Sequence, residues 1–121
     1  MLSNANQTDA SLSKKWGSEI THFGWTAIPN ALLRNMGALD ITPTEMVVVC
    51  YLIMFWWEKD RLPFPSITKM ATELGVSSKT IERNLQSLEK KSLVEKAERQ
   101  GKSNKYDLKP MVDRLSDMVR S

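Results

Sequence analysis

The sequence is poor in the residues that most chemistry needs. Its 121 residues include one cysteine, Cys50, and one histidine, His22. A lone cysteine excludes an internal disulfide, and with a single histidine beside it no zinc site can be assembled. The same shortage leaves no Cys/His or Ser/His/Asp arrangement to draw, so the chain is expected to be non-catalytic, with neither metal nor cofactor. Cys50, inside an apolar run, is expected to act as a small buried hydrophobe and His22 as a surface or boundary residue. No apolar run reaches membrane length. The longest, Met46 to Trp57, has twelve residues between Glu45 and Glu58-Lys59-Asp60, against about 20 for a spanning helix. The first fifteen residues (MLSNANQTDASLSKK) lack the apolar stretch of a secretory signal, and a cytoplasmic protein is expected.

What remains is the composition of one ordinary globular domain, 41% apolar and 26% charged. The net charge of +3 is unevenly placed. Residues 1–60 carry four basic and six acidic residues, whereas residues 61–121 carry thirteen basic and eight acidic ones. Any surface that faces a polyanion therefore belongs to the second half.

Residues 1–20 show no apolar period and read as a mobile arm, with Trp16 and Ile20 as candidates for local docking. In "IPNALLRNMG", Pro29 at a start and Gly37 at a stop predict a two-turn helix. "DITPTEM" carries stronger signals. Thr42 caps, Pro43 suits the first helical position, Glu45 completes a T-x-x-E capping box, and Ile41 and Met46 are spaced as a hydrophobic staple. These favour a helix over about 43–58 despite Val48, Val49 and Tyr51, and a helix apolar on all sides must be surrounded.

After "RLPFPS", Ser66 caps a helix with apolar Ile67, Met70, Ala71 and Leu74, and Gly75 ends it. Ser77 caps the next, about 78–91, which buries Ile81, Leu85 and Leu88; two helices joined by so tight a turn cross steeply. "LVEKAERQGKSNKYDL" then changes to a strand period, predicting strands at 93–98 and 104–108 around a turn with Gln100, Gly101 and Ser103. Pro110 opens a last amphipathic helix with Met111, Val112, Leu115, Met118 and Val119 on one face. The expected fold is mainly α with a small β-hairpin (α+β). It divides into an arm (1–20), a domain (21–109) and a C-terminal amphipathic helix (110–121).

"SITKMATELGVSSKTIERNLQSLEKKSLV", residues 66–94, has small Ala71 where two helices approach, Gly75 at the turn and Ile81 as an inward anchor. With the hairpin downstream, residues 66–108 resemble a bacterial winged helix-turn-helix domain. The wider stretch 24–108 is similar to helix-turn-helix proteins of phage and plasmid replication modules and to small transcriptional regulators. Such families commonly have glycine where this chain has Ser92. The serine must either adopt a left-handed conformation, at about 1 kcal/mol, or end the helix differently.

The resemblance implies that the second helix enters the major groove of double-stranded DNA. On a helical wheel Leu85 and Leu88 fall within about 40° of Ile81, while Lys79, Glu82, Arg83, Gln86 and Lys90 gather opposite. Arg83 suits guanine, Gln86 adenine or another base edge, and Lys79 a base or a phosphate. Ser78 and Thr80 suit phosphate contacts. Lys96, Arg99, Lys102 and Lys105 in the hairpin would lie along the backbone or in the minor groove.

In that arrangement Met46 to Trp57 is the central core helix, and Trp56 and Trp57 fill core or interface rather than stack on bases. The surface this helix leaves over, together with the Met111–Val119 face and Trp25, suggests a homodimer, which would suit palindromic sites. Sequence-specific DNA binding, by a transcriptional regulator first and a replication-initiation module second, is the leading expectation. A winged-helix protein-interaction module that does not touch DNA is the alternative.

Overall fold

A computed structural model of the chain describes residues 5–56, 61–102 and 104–120. Among the described residues seven helices and two strands follow one another: α1 (Ala5–Trp16), α2 (Ser18–Thr21), α3 (Asn30–Arg34), α4 (Pro43–Met54), α5 (Ile67–Leu74), α6 (Ser78–Lys90), β1 (Glu95–Ala97), β2 (Lys105–Asp107) and α7 (Lys109–Arg120). This is a mostly helical α+β fold with one antiparallel hairpin, and the expected class holds.

The helical reading of the apolar run is correct, and its start is built as the sequence implies. Thr42 N–H donates to Glu45 Oε1 at 2.8 Å and Glu45 N–H to Thr42 Oγ1 at 3.2 Å, with Pro43 in the first turn. The staple residues Ile41 and Met46 are both buried. Valines cost a helix a few tenths of a kcal/mol each, whereas burying one contributes about 1.5–3 kcal/mol, so packing overrides propensity here. Val48, Val49, Tyr51 and Leu52 are buried, and Cys50 and Ile53 pack against the same core. Burial pushes the Cys50 thiol pKa up, as suits a residue that serves as a hydrophobe. α4 ends at Met54, earlier than expected. Trp57 and Glu58, the expected last residues, lie outside the described part, as does Ser103 in the hairpin turn.

α4 and α5 both pack on α6, and α3 packs on α7. The core they enclose also takes Leu39, Ile41, Leu93, Val94, Tyr106, Leu108 and Met111. The hairpin is short, with Glu95 opposite Asp107, Lys96 opposite Tyr106 and Ala97 opposite Lys105. Tyr106 points inward, and its N–H donates to Pro63 O at 2.9 Å, so the extended segment before α5 flanks the hairpin.

One expectation changes. Residues 5–16, read as an arm without helical period, form α1. Ala5, Ala10 and Leu12 favour helix intrinsically, and Lys14 and Lys15 lie in the last turn, where the helix dipole favours cations. α1 packs on α2, with Ser13 Oγ 3.1 Å from Thr21 Oγ1. Trp16 and Ile20, the expected docking residues, are exposed.

Candidate nucleic-acid interface

α5, the turn and α6 form the helix-turn-helix. Ser66 accepts from Lys69 N–H at 3.2 Å, and Ser77 accepts from Thr80 N–H at 3.1 Å, so both helices carry the expected caps. Gly75 has φ 72°, the left-handed value at which a side chain is strained. Val76 N–H then reaches back to Ala71 O at 3.0 Å, and Ala71 is buried where the helices meet.

Ile81, Leu85 and Leu88 hold α6 to the body and are at most 2% exposed. The opposite side is open: Lys79, Glu82, Arg83, Gln86 and Lys90 are all exposed, and none has an ion-pair partner among the described residues. Ser78 and Thr80 are half-buried at the helix start. The Thr80 hydroxyl lies 3.0 Å from Ser77 Oγ, within the cap.

The wing residues divide. Lys102 is exposed at the tip beside Gly101, which takes φ 68°. Lys105 is half-buried opposite Ala97. Lys96 lies 3.5 Å from Glu98. Arg99 departs most from expectation, because its guanidinium lies 4.7 Å from the centre of the Phe64 ring and its Nη1 is buried without a hydrogen-bond partner. In this conformation Arg99 braces the wing against the segment before α5.

Sequence reasoning overlooked three arrangements. The first is a cleft between the wing and the start of α5, lined by Ser66, Thr68, Lys102, Asn104 and Tyr106. Burial pushes the Tyr106 phenol pKa up, with Glu82 and Glu89 acting in the same direction against Asn104 and Lys96, so the group stays a neutral donor.

The second is a clamp at the far end of α6. Lys91 Nζ donates to Glu45 Oε1 at 2.7 Å and to Asp40 O at 2.6 Å. Burial alone would raise the Glu45 carboxyl, but hydrogen bonds from Lys91, Ser87 and Thr42, with the Lys91 charge, outweigh it and hold the pKa below its ordinary value. The capping box gave the only signal, since Glu45 at that position could be expected to serve the cap alone. In the third, Tyr51 donates to Glu73 and ties α4 to α5. Desolvation, together with that carboxylate, pushes the Tyr51 pKa up to about 12.

Two comparisons with known proteins agree with this geometry. The crystal structure of the N-terminal domain of the DnaD protein from Geobacillus kaustophilus HTA426 is similar with a TM-score of 0.65. It is 23% identical, and the likeness covers 88% of this chain and 89% of that one, which identifies a shared fold. No curated protein sequence matches the chain. Residues 39–94 match the family described as helix-turn-helix domain, a segment that runs from Leu39 through α4, α5 and α6 to Val94. Residues 39–94 are thus similar to that helix-turn-helix family, and with the hairpin that follows them the chain has the fold of a winged helix.

Proposed function

We propose that the chain is a non-catalytic, sequence-specific double-stranded DNA-binding protein that acts as a transcriptional regulator. The observation that carries this reading is the division of α6 into a buried side, Ile81, Leu85 and Leu88, and an open cationic side, Lys79, Arg83 and Lys90 with Gln86 among them. A helix held this way presents long donors at major-groove depth, where Arg and Gln match guanine and adenine edges. The wing adds Lys102 and Lys105 for the backbone or minor groove, and Ser78 and Thr80 reach phosphates from the helix start.

The helix-turn-helix family match supports DNA binding. The resemblance of residues 24–108 to helix-turn-helix proteins of phage and plasmid replication modules supports a second setting, replication initiation, in which the same reader would be used. Selection of bound duplexes from a random pool tests the proposal. An enriched motif, located afterwards at promoters or at an origin, supports one setting or the other. Failure to enrich any duplex at low salt overturns both.

A homodimer is part of the proposal. Support comes from an apolar groove between α3, α4 and α7, lined by Ala27, Ile53, Trp56, Leu115 and Val119. Val112 and Val119 stand exposed on α7 beside it.

A further inference from the structure

A third concavity lies on the side of α5 that faces α4. Tyr51 from α4 and Phe55 just past its end, with Leu62 and Phe64 from the extended segment before α5, give it apolar walls. Arg61 and Lys69 also line it. Both cations are exposed, and neither has an ion-pair partner among the described residues. The volume is about 190 Å³. A cavity of about 150 Å³ holds benzene, so this one has room for a single ring and a short substituent.

From this shape and charge we infer that the pocket binds a small aromatic carboxylate, its ring among Tyr51, Phe55, Leu62 and Phe64 and its carboxylate on Arg61 and Lys69. An aromatic wall alone would accept a cation equally well. Two basic side chains at the same cavity, neither ion-paired among the described residues, favour an anion, and the carboxylate nearest in sequence to Lys69, Glu73, is already engaged by the Tyr51 hydroxyl. Planar, bidentate recognition of a carboxylate is what a guanidinium does well.

The position also makes the ligand an effector, a role that rests on the DNA-binding reading, whereas binding itself does not. Lys69 belongs to the first helix of the helix-turn-helix, Tyr51 holds that helix through Glu73, and the Phe64 ring carries the wing's Arg99. A ring wedged among these side chains touches the supports of both DNA-facing elements.

Benzoate, benzyl alcohol and benzylamine share one ring and differ in charge, so they serve as probes for the full chain, followed by amide chemical shifts without DNA. Benzoate is expected to give saturable shifts centred on Tyr51, Leu62, Phe64 and Lys69, with benzylamine giving none there. The double substitution Arg61→Gln/Lys69→Gln weakens benzoate about tenfold, as loss of charge-assisted hydrogen bonds requires, and leaves benzyl alcohol unchanged. Leu62→Trp, which fills the cavity, removes both. Should the double variant fail to fold, the single substitutions and the contrast between the three probes decide the matter.

Absence of saturable shifts at millimolar benzoate, or equal binding of benzylamine, overturns the site. Benzoate binding that leaves duplex affinity unchanged overturns the effector role. Benzoate binding by a chain that binds no duplex leaves the site standing and ends the DNA-binding reading instead.

Discussion

Lys91 reaches from the end of α6 to the buried carboxylate of Glu45, and this contact fixes how α6 leaves the body. The Glu45 side chain is 3% exposed and that of Lys91 22%. Removing one partner of a fully buried pair costs about 3–5 kcal/mol; because the ammonium here keeps some water, Lys91→Met is expected to cost about 2 kcal/mol, read from the urea midpoint. The pH dependence has a definite sign. The folded pKa of Glu45 lies below its unfolded value of about 4.3, so ionised Glu45 adds stability at neutral pH that disappears as pH falls through the folded pKa. Wild type should therefore exceed Glu45→Gln in urea midpoint at pH 7, and the gap should narrow as pH falls below the unfolded value of about 4.3 and through the folded one. A gap that persisted unchanged at pH 3 would show that ionisation of Glu45 contributes nothing. On the side proposed to face DNA, Arg83→Ala is expected to cost about 1–3 kcal/mol on the preferred site and to relax preference at one base pair, whereas Lys102→Ala weakens all duplexes alike. Competition binding on single-base variants of the selected site distinguishes the two.

Three turns in this chain end in the same way, and only one of them has a glycine. At Gly75, Asp40 and Ser92 the backbone takes φ of 72°, 61° and 58°. Each time the following N–H reaches back five residues: Val76 to Ala71 O, Ile41 to Met36 O, and Leu93 to Leu88 O. Each is the longer of the two bonds of a Schellman motif, and after α5 and α6 it satisfies a carbonyl that the helix end leaves open. Ser92 thus takes the left-handed option, and β1 begins at Glu95, two residues later than the expected strand. Replacing Ser92 with glycine should raise stability by about 0.5 kcal/mol, a relieved left-handed penalty of about 1 kcal/mol partly offset by the greater freedom of glycine in the unfolded chain. Gly75→Ala should lower it by about 1 kcal/mol, and for conformation alone, since an added Cβ there meets nothing within 4 Å. Urea midpoints of the two variants check both signs.

The elements with local signals could be read directly: the Thr42-Glu45 box, the Ser66 and Ser77 caps, and the 3.6-residue period of Ile67 to Leu88. What could not be read depends on partners distant in sequence. Asp40 resembles any loop aspartate until its turn is closed; Lys91 looks solvated until Glu45 lies beneath it, and Arg99 looks available to DNA until Phe64 stands against it. Helix α1 was missed for the opposite reason, since it forms on intrinsic propensity without the apolar stripe that a periodicity reading requires.

At the scale of the molecule, charge and apolar surface are segregated. The basic excess lies in residues 61–121, which hold α6 and the wing, while the exposed valines of α7 lie beside the groove that α3, α4 and α7 enclose. A dimer formed through that groove would leave both recognition helices uncovered, because α6 contributes no residue to its lining. Two-fold symmetry of the protein would then impose two-fold symmetry on the bound site, with half-sites spaced by about one helical turn or a multiple of it. Val119 is 58% exposed, so a charge there costs the monomer little. In a dimer the same charge would be buried without a partner and would prevent association. Val119→Glu is therefore expected to sediment as a monomer with unchanged thermal stability at high dilution, where wild type is dissociated too. It should bind one half-site with the base preference of the wild type and lose affinity for the full palindrome. Sedimentation velocity across a hundredfold concentration range, run beside binding to half and full sites, reads each consequence. Wild type that stays monomeric throughout, or a selected motif without symmetry, removes the dimer while leaving the reader helix in place.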